Sequence, residues 1–315
     1  MAKLDIVIVG EINLDLILYG LPLAMPTERE LLGSGFSMTL GSSSAILAHN
    51  LAMLDARVGF ITKVGDDALG KIAIGRLGEA SVDLAHVIRD RDTGSGVTLI
   101  LPHGEERHIL TYPGTIFELR FEDLKLDYIT SARHFHMSSL FLHRGLRDHI
   151  PELFRLAKSK GLSTSLDTND DPEDLWAGPL AETLPHVDIL LPNEREAKKI
   201  ARRDDLEAAI ARLAEQVATV VVKLGAKGAM AVRGRERIIA PPVRVEVVDP
   251  VGAGDSFDAG FLSQYLRGRD LGACLEYGNL AGAFSTTASG GTEAFRDRRK
   301  MLEFFSRATT SKVAQ

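Results

Sequence analysis

The chain has 315 residues, 45% of them hydrophobic and 25% charged, with a formal net charge of −6. That length buries a large core, in one big α/β unit or two smaller ones. It carries no basic run and no aromatic–basic interleaving, which argues against a nucleic-acid partner, and no apolar stretch approaches the length of a membrane span.

The single cysteine, Cys274, excludes an internal disulfide and fits a reducing compartment. Near the start, Lys3 precedes a short apolar run broken by Asp5, which is not a secretory-signal pattern, and a cytoplasmic protein is expected. Residues 4–10 read as a buried strand, apolar and β-branched, ending at Gly10. Strands of the same kind are predicted over 57–64, 132–137, 163–167, 187–191 and 219–224. Helical patterns lie over 43–54, 68–80, 146–160, 194–201 and 206–217, and again over 255–266. This alternation predicts an α/β fold with a mostly parallel sheet covered on both faces. In such sheets ligands bind beyond the carboxyl ends of the strands.

Two segments break the alternation. Residues 14–40 hold no convincing helix. Residues 95–111 hold two β runs, 97–101 and 107–111, around a turn at 102–105, which is a hairpin pattern. Such insertions suit either a small sheet covering the active site or a surface hairpin without a role. No Pro/Gly/Ser-rich linker divides the chain. The polar residues 309–315 read as a frayed tail.

After the first strand comes Gly10-Glu11-Ile12-Asn13-Leu14-Asp15. In extended chain Asn13 and Asp15 point to the same side. An amide beside a carboxylate suits turn chemistry or a pair of sugar hydroxyls. Gly41 and the serines Ser42, Ser43 and Ser44 open a helix and read as capping residues. Residues 65–72 approach a Walker A loop but place Ile72 where Ser or Thr must reach Mg²⁺, so the match is rejected. Asp66 or Asp67 caps the next helix instead. His134 and His136 share one face of a strand. Without a carboxylate or thiol nearby, they read as half-buried histidines and not as a metal site. Asn193 and Glu196 have capping-box spacing at the head of a helix. Lys223, Gly225 and Gly228 lie in a strand–turn–strand pattern whose glycines permit close backbone approach.

The densest stretch is Val248-Asp249-Pro250-Val251-Gly252-Ala253-Gly254-Asp255-Ser256-Phe257. It leaves a β-rich segment and enters a helix at Asp255. Small residues at a helix start let N–H groups crowd around an anion. A carboxylate in the same turn would repel a phosphate unless a hydroxyl lay between them. Two readings stand. One is a glycine-rich turn with Asp255 as an ordinary first-turn carboxylate. The other is a phosphoryl-transfer site, with Asp255 taking the proton of the hydroxyl and the amides of Gly252, Ala253 and Gly254 holding the developing charge.

The run from Asp249 to Leu262 resembles the C-terminal signature of the ribokinase/PfkB carbohydrate-kinase family, and the remaining motifs fall in family order from Val7 to about Glu293. The resemblance implies a ribokinase-like three-layer sandwich. It implies one kinase domain over 1–308, with a small β-sheet lid from about 14–40 and 95–112. It also implies transfer of the γ-phosphoryl group of ATP to a primary hydroxyl of a small sugar, with Asp255 as base and Gly252, Ala253 and Gly254 as anion hole. Asn13, Asp15, Gly41 and Ser42 then hold substrate. Asn193 and Glu196 organise Mg²⁺, largely through water. Lys223, Gly225 and Gly228 lie along ATP, and Asn279, in the helical segment 274–288, sits by the adenine.

Asp249, the Val251 carbonyl and the turn at 289–291 match the family's monovalent-cation loop, which implies possible K⁺ activation. A homodimer through the lid is implied as well. The segment from Gly41 departs from the family's N-terminal signature, with Ser42 for a second glycine and Ile46 for a substrate-contacting Asn. In the absence of an arginine cluster, neutral substrates such as ribose or fructose lead. Arg107 keeps a 2-keto-3-deoxy sugar acid open, and a nucleoside remains open too. His103, His108 and residues 112–115 are placed to touch substrate from the lid. A catalytically silent sugar sensor is favoured only by Ile46. A dinucleotide-dependent oxidoreductase lacks the Gly-x-Gly-x-x-Gly it needs after the first strand.

Overall fold

Short apolar runs bounded by glycine and polar residues form the strands of two sheets in the computed structural model, which describes residues 4–103 and 106–313. In chain order the strands are β1 (Ile6–Val9), β2 (Asn13–Tyr19), β3 (Gly35–Gly41), β4 (Val58–Gly65), β5 (Val87–Asp90), β6 (Gly96–His103), β7 (Glu106–Tyr112), β8 (His134–Ser138), β9 (Ser163–Asp167), β10 (Ile189–Leu190), β11 (Thr219–Lys223), β12 (Ala229–Arg233) and β13 (Glu236–Ala240). The large sheet runs β13-β12-β11-β10-β9-β8-β1-β4-β5. It is parallel from β11 to β5 and antiparallel at β11–β12–β13.

The continuous apolar character of β1 follows from burial on both faces. Val7 and Val9 enter a core with Phe135, Met137 and Leu166, beneath Leu153 and Phe154 of helix Ile150–Ser159. Ile6 and Ile8 enter the opposite core, with Leu47 and Leu51 of helix Ser43–Met53 and Phe261 and Leu262 of helix Ala253–Tyr265. Truncating a fully buried Phe such as Phe135 to Ala costs about 3–5 kcal/mol. The result is the three-layer α/β sandwich that the resemblance implied, with a second, smaller sheet beside it.

The small sheet has the order β3-β2-β6-β7. Asn13 pairs with Gly41 and Gly96, and Asp15 with Thr39 and Thr98. This sheet stands over the strand carboxyl ends, with Ile17 and Ile100 packed against Val251. The Tyr19 hydroxyl bonds the Ser289 hydroxyl, and Thr39 Oγ1 donates to Glu293 at 3.4 Å. Residues 104 and 105, in the expected hairpin turn, lie outside the described residues.

Several elements differ from expectation. The helix expected over 146–160 begins with a 3-10 turn at Arg147–His149 and becomes α-helical at Ile150–Ser159. Helix Leu271–Ser285 starts earlier than the segment 274–288 that the resemblance implied, because Asp270 caps it by accepting from Ala273 N–H at 2.8 Å. The last helix, Arg298–Val313, runs into the stretch read as a tail, and residues 314–315 lie outside the described residues. Asp67, not Asp66, caps helix Ala68–Glu79. Among the described residues no helix is long and apolar enough to cross a membrane.

Candidate active site

Gly252 takes φ +73°, a conformation L side chains rarely adopt, and a Cβ there would stand 2.4 Å from the Gly291 Cα. The bend turns the chain into helix Ala253–Tyr265, which has no side-chain cap. The Ala253 N–H makes a long 3.3 Å bond to the Pro250 carbonyl, and the Gly254 N–H has no acceptor among the described residues. Open donors and the positive dipole end therefore meet at one point. Asp255 lies in that first turn. Burial, and after it the charge of Asp167, pushes its carboxyl up to about 7, against the pull of Lys223 and a Ser43 hydrogen bond. Moving it there from 3.8 costs the ionised form about 4 kcal/mol.

Across from this turn, β2 and β3 set Asn13 and Asp15 against the backbone of Gly41. A Cβ on Gly41 would meet Asp15 Oδ1 at 2.1 Å and Asn13 Oδ1 at 2.3 Å. Asn13 Nδ2 donates to Thr98 Oγ1 at 2.7 Å, while Asn13 Oδ1 is buried without a partner among the described residues. Burial, then the charges of Asp255 and Asp249, raises Asp15 to about 7, and Arg107 on β7 opposes the rise. Ser42, at φ +68°, carries the chain from β3 into helix Ser43–Met53. Buried acceptors gathered in one place suit a ligand that brings its own hydroxyl protons.

Glu11 was not singled out from the sequence, yet it anchors this corner. Its carboxylate accepts from Ser44 Oγ at 2.6 Å, Ser44 N–H at 3.2 Å and Ser139 Oγ at 2.8 Å, with His143 Nε2 at 3.4 Å. Burial opposes its ionisation, but the hydrogen bond and charge of His143 and the Ser44 hydroxyl outweigh that and hold it at about 2. Glu11 thereby fixes the helix start that offers Ser43 to Asp255.

On the other side of helix Ala253–Tyr265 lies a cavity of about 630 Å³, bordered by Lys223, Gly225, Gly228, Val245, Gly254 and Asn279, among others. Gly225, at φ +59°, has open space around its Cα. Gly228, at φ +91°, is required by the chain itself, since a Cβ would lie 2.2 Å from the Ala240 carbonyl oxygen. Asn279 Nδ2 donates to the carbonyls of Ala240 at 3.1 Å and Pro241 at 2.9 Å, so its amide hydrogens brace the wall of the cavity. Lys223 Nζ is held by Asp167 at 2.6 Å and Asp258 at 3.1 Å.

Asn193 and Glu196 form a complete capping box. Asn193 N–H donates to Glu196 Oε2 at 2.9 Å, and Glu196 N–H to Asn193 Oδ1 at 2.9 Å. Glu196 is buried. Desolvation, then the charge of Asp167, raises its carboxyl to about 7.

Asp249 ties two loops together. Its carboxylate accepts from Val251 N–H at 3.0 Å, Gly290 N–H at 2.9 Å and Ser289 Oγ at 3.4 Å. Ile46 is 3% exposed and packs on the back of Gly252 and Gly291. His134 and His136 are fully buried, not half-buried. Their ring nitrogens bond the hydroxyls of Ser163, Ser165 and Ser138 at 2.6–2.8 Å, and burial keeps both neutral. In the small sheet His103 and His108 pack edge to face at 5.0 Å. Thr115 is buried and Tyr112 is exposed.

The pfkB family carbohydrate kinase model matches residues 3–298. The chain belongs to the pfkB family of carbohydrate kinases. As a member it is a phosphotransferase with an alcohol acceptor. This kinase is 29% identical over 318 residues to the 2-dehydro-3-deoxygluconokinase of Bacillus subtilis, covering 95% of this chain and 97% of that one. It is 30% identical over 256 residues to the ATP-dependent ribose-1-phosphate kinase of Halopiger xanaduensis, covering 81% and 82%. Its fold matches that of an E. coli protein assigned as a ribokinase II and solved in complex with ATP and Mg²⁺, with a TM-score of 0.82, 25% identity, and coverage of 96% of this chain and 99% of that one.

Proposed function

We propose that this sugar kinase moves the γ-phosphoryl group of ATP to a primary hydroxyl of a small, neutral, polyol-type sugar. The observation that carries the reading is the placement of Asp255, a buried carboxylate in the first turn of an uncapped helix with free N–H groups, facing Asn13 and Asp15. The sugar hydroxyl gives its proton to the Asp255 carboxylate as its oxygen forms the bond to γ-phosphorus. The bridge to the β-phosphate breaks, and ADP leaves with that electron pair. The amides of Gly252, Ala253 and Gly254 hold charge on the phosphoryl oxygens in transit. Asn13, Asp15, Gly41 and Ser42 bind the other hydroxyls.

ATP fills the 630 Å³ cavity, with Gly225 and Gly228 along the phosphates and Asn279 near the base. Mg²⁺, when bound, offsets phosphate charge. Glu196 would hold it through water while Asn193 fixes the carboxylate. Oxygen donors, with the repulsion of Asp167 and Asp170 on Glu196, fit a hard cation that keeps its waters. Asp249 and the Val251 carbonyl, drawn to the 289–291 turn, are the groups that would hold K⁺. The exposed β7 strand, with Ile109, Leu110 and Tyr112, supports a homodimer through the small sheet.

A second reading, a sugar-acid substrate, is favoured by Arg107, which acts on Asp15 from β7, and by the Bacillus subtilis relative. A coupled ADP-release assay with MgATP against neutral sugars, sugar acids and nucleosides, with and without K⁺, separates them. Turnover confined to neutral polyols supports the first reading. Turnover confined to acids assigns Arg107 to a carboxylate. Sugar binding without turnover restores the sensor reading.

A further inference from the structure

Helix Ala253–Tyr265 carries a second buried carboxylate one turn after Asp255. Asp258 is 0% exposed and bonds the end of β11, where Lys223 Nζ donates to Asp258 Oδ2 at 3.1 Å and to Asp167 Oδ2 at 2.6 Å. The two carboxylate side chains are each 1% exposed and that of Lys223 is 12%, so the lysine alone of the three reaches the cavity. An ammonium has three donors, and two are engaged here. Lys223 Nζ lies 3.6 Å from the point where a Cβ on Gly254 would stand. Its third N–H is therefore beside the anion hole.

Stability does not account for this cluster. A buried ion pair such as Lys223–Asp167 is commonly no better than apolar side chains of the same volume. This one also confines a second carboxyl, Asp258, which burial raises well above the ordinary carboxylate range and which hydrogen-bonds Asp167.

The charged and polar groups acting on Asp255 come from several elements. They are Asp167 on β9, Lys223 on β11, Glu11 after β1, Asp15 on β2, the Ser43 hydroxyl and Asp258 on its own helix. Lys223 is the one cation among them.

We propose that Asp167 and Asp258 are positioning residues that clamp Lys223 against the anion hole, where its third N–H meets the phosphoryl group in transit and its charge keeps Asp255 able to accept the proton. The inference rests on the reading of Asp255 as the base.

Lys223→Met tests it. The expected result is a fall in kcat of about 100-fold with KM for MgATP changed by less than about threefold. The acid limb of the kcat/KM profile moves up by about one pH unit. Wild-type kcat, or a fall in kcat with the acid limb unmoved, overturns the proposal. If Lys223→Met does not fold, Asp167→Asn decides, because it keeps the side-chain shape and leaves Lys223 with one anchor. A drop in kcat of about tenfold at unchanged MgATP KM, in protein shown by circular dichroism to be folded at the assay temperature, supports the clamp, and wild-type kcat overturns it. An active Asp255→Asn variant would remove the reading of the base whatever Lys223 does. An inactive one leaves the Lys223 result to stand or fall by itself.

Discussion

Replacing Gly252 with alanine perturbs the backbone bend on which the anion hole depends. Two costs add. A non-glycine residue at φ +73° pays about 1–2 kcal/mol for the left-handed conformation. The new Cβ, placed 2.4 Å from the Gly291 Cα and 3.3 Å from Ile46 Cδ1, must push backbone aside, and overpacking of that kind costs about 1–3 kcal/mol. A loss of about 2–5 kcal/mol of folding stability is expected, read from urea unfolding monitored by circular dichroism. The same push displaces the amides of Ala253 and Gly254, and a misplacement near 1 Å costs about 100-fold in turnover. Gly225→Ala is the matched control. It shares a positive φ, +59°, but meets nothing within 4 Å, so only the conformational cost of about 1–2 kcal/mol applies. Equal losses in the two variants, or a Gly252→Ala enzyme with wild-type stability and kcat, would refute the reasoning.

Asp15→Ala should raise KM for the sugar by at least about tenfold and leave KM for MgATP unchanged, in steady-state kinetics with each substrate varied in turn. Ile46→Asn puts an amide into an apolar site 3% exposed and should destabilise by about 2–4 kcal/mol without improving sugar binding by calorimetry. A gain in sugar affinity would show that the side chain addresses substrate, not the Gly252 and Gly291 backbone. Because Asp255 stands at about 7 in the free enzyme and acts only when ionised, kcat/KM should climb with pH through about 7 and then level. A profile flat from pH 5 to 8 contradicts this. Stability runs the other way. Asp15, Asp255 and Glu196 are all raised to about 7, so the stability they contribute is complete below their ordinary values and is lost as pH rises through about 7. Below about pH 6.5 the buried His49, His134 and His136, whose pKa values burial lowers, offset this loss, so the urea midpoint of the free enzyme should fall between about pH 6.5 and 8, and a rise across that window would count against the three buried carboxylates.

What could be read in the sequence was what lies close together along the chain. Residues 249–257 carry their turn, helix start and carboxylate in one run, and Asn13 with Asp15 needs only the period of a strand. The capping box of Asn193 and Glu196 is local as well, and it formed. The groups that surround Asp255 were not legible, because they are joined only by the fold. Glu11, Ser44, Ser139 and His143 come from three separate segments. Asp167, Lys223 and Asp258 sit at two strand ends and on a helix. No local pattern announces a buried ion cluster. In the small sheet, the parallel pairing of β2 with β6 joins Asp15 to Thr98, and strand periodicity does not encode a partner that distant. Strands β5 and β13 escaped notice because each is a short run mixing charged and apolar residues, held by pairing with β4 and β12. Ile46 looked like a lost substrate contact in one dimension. In three it supports two glycines whose backbones have no side chains of their own to pack.

The most direct test of the account is turnover of Asp255→Asn. The amide keeps the size of the carboxyl but cannot accept the proton of the sugar hydroxyl. The expected result is a folded protein that binds MgATP and sugar by calorimetry and has lost about 10²–10⁴-fold in kcat. Turnover near the wild-type rate in that variant would contradict the assignment of Asp255 as the base.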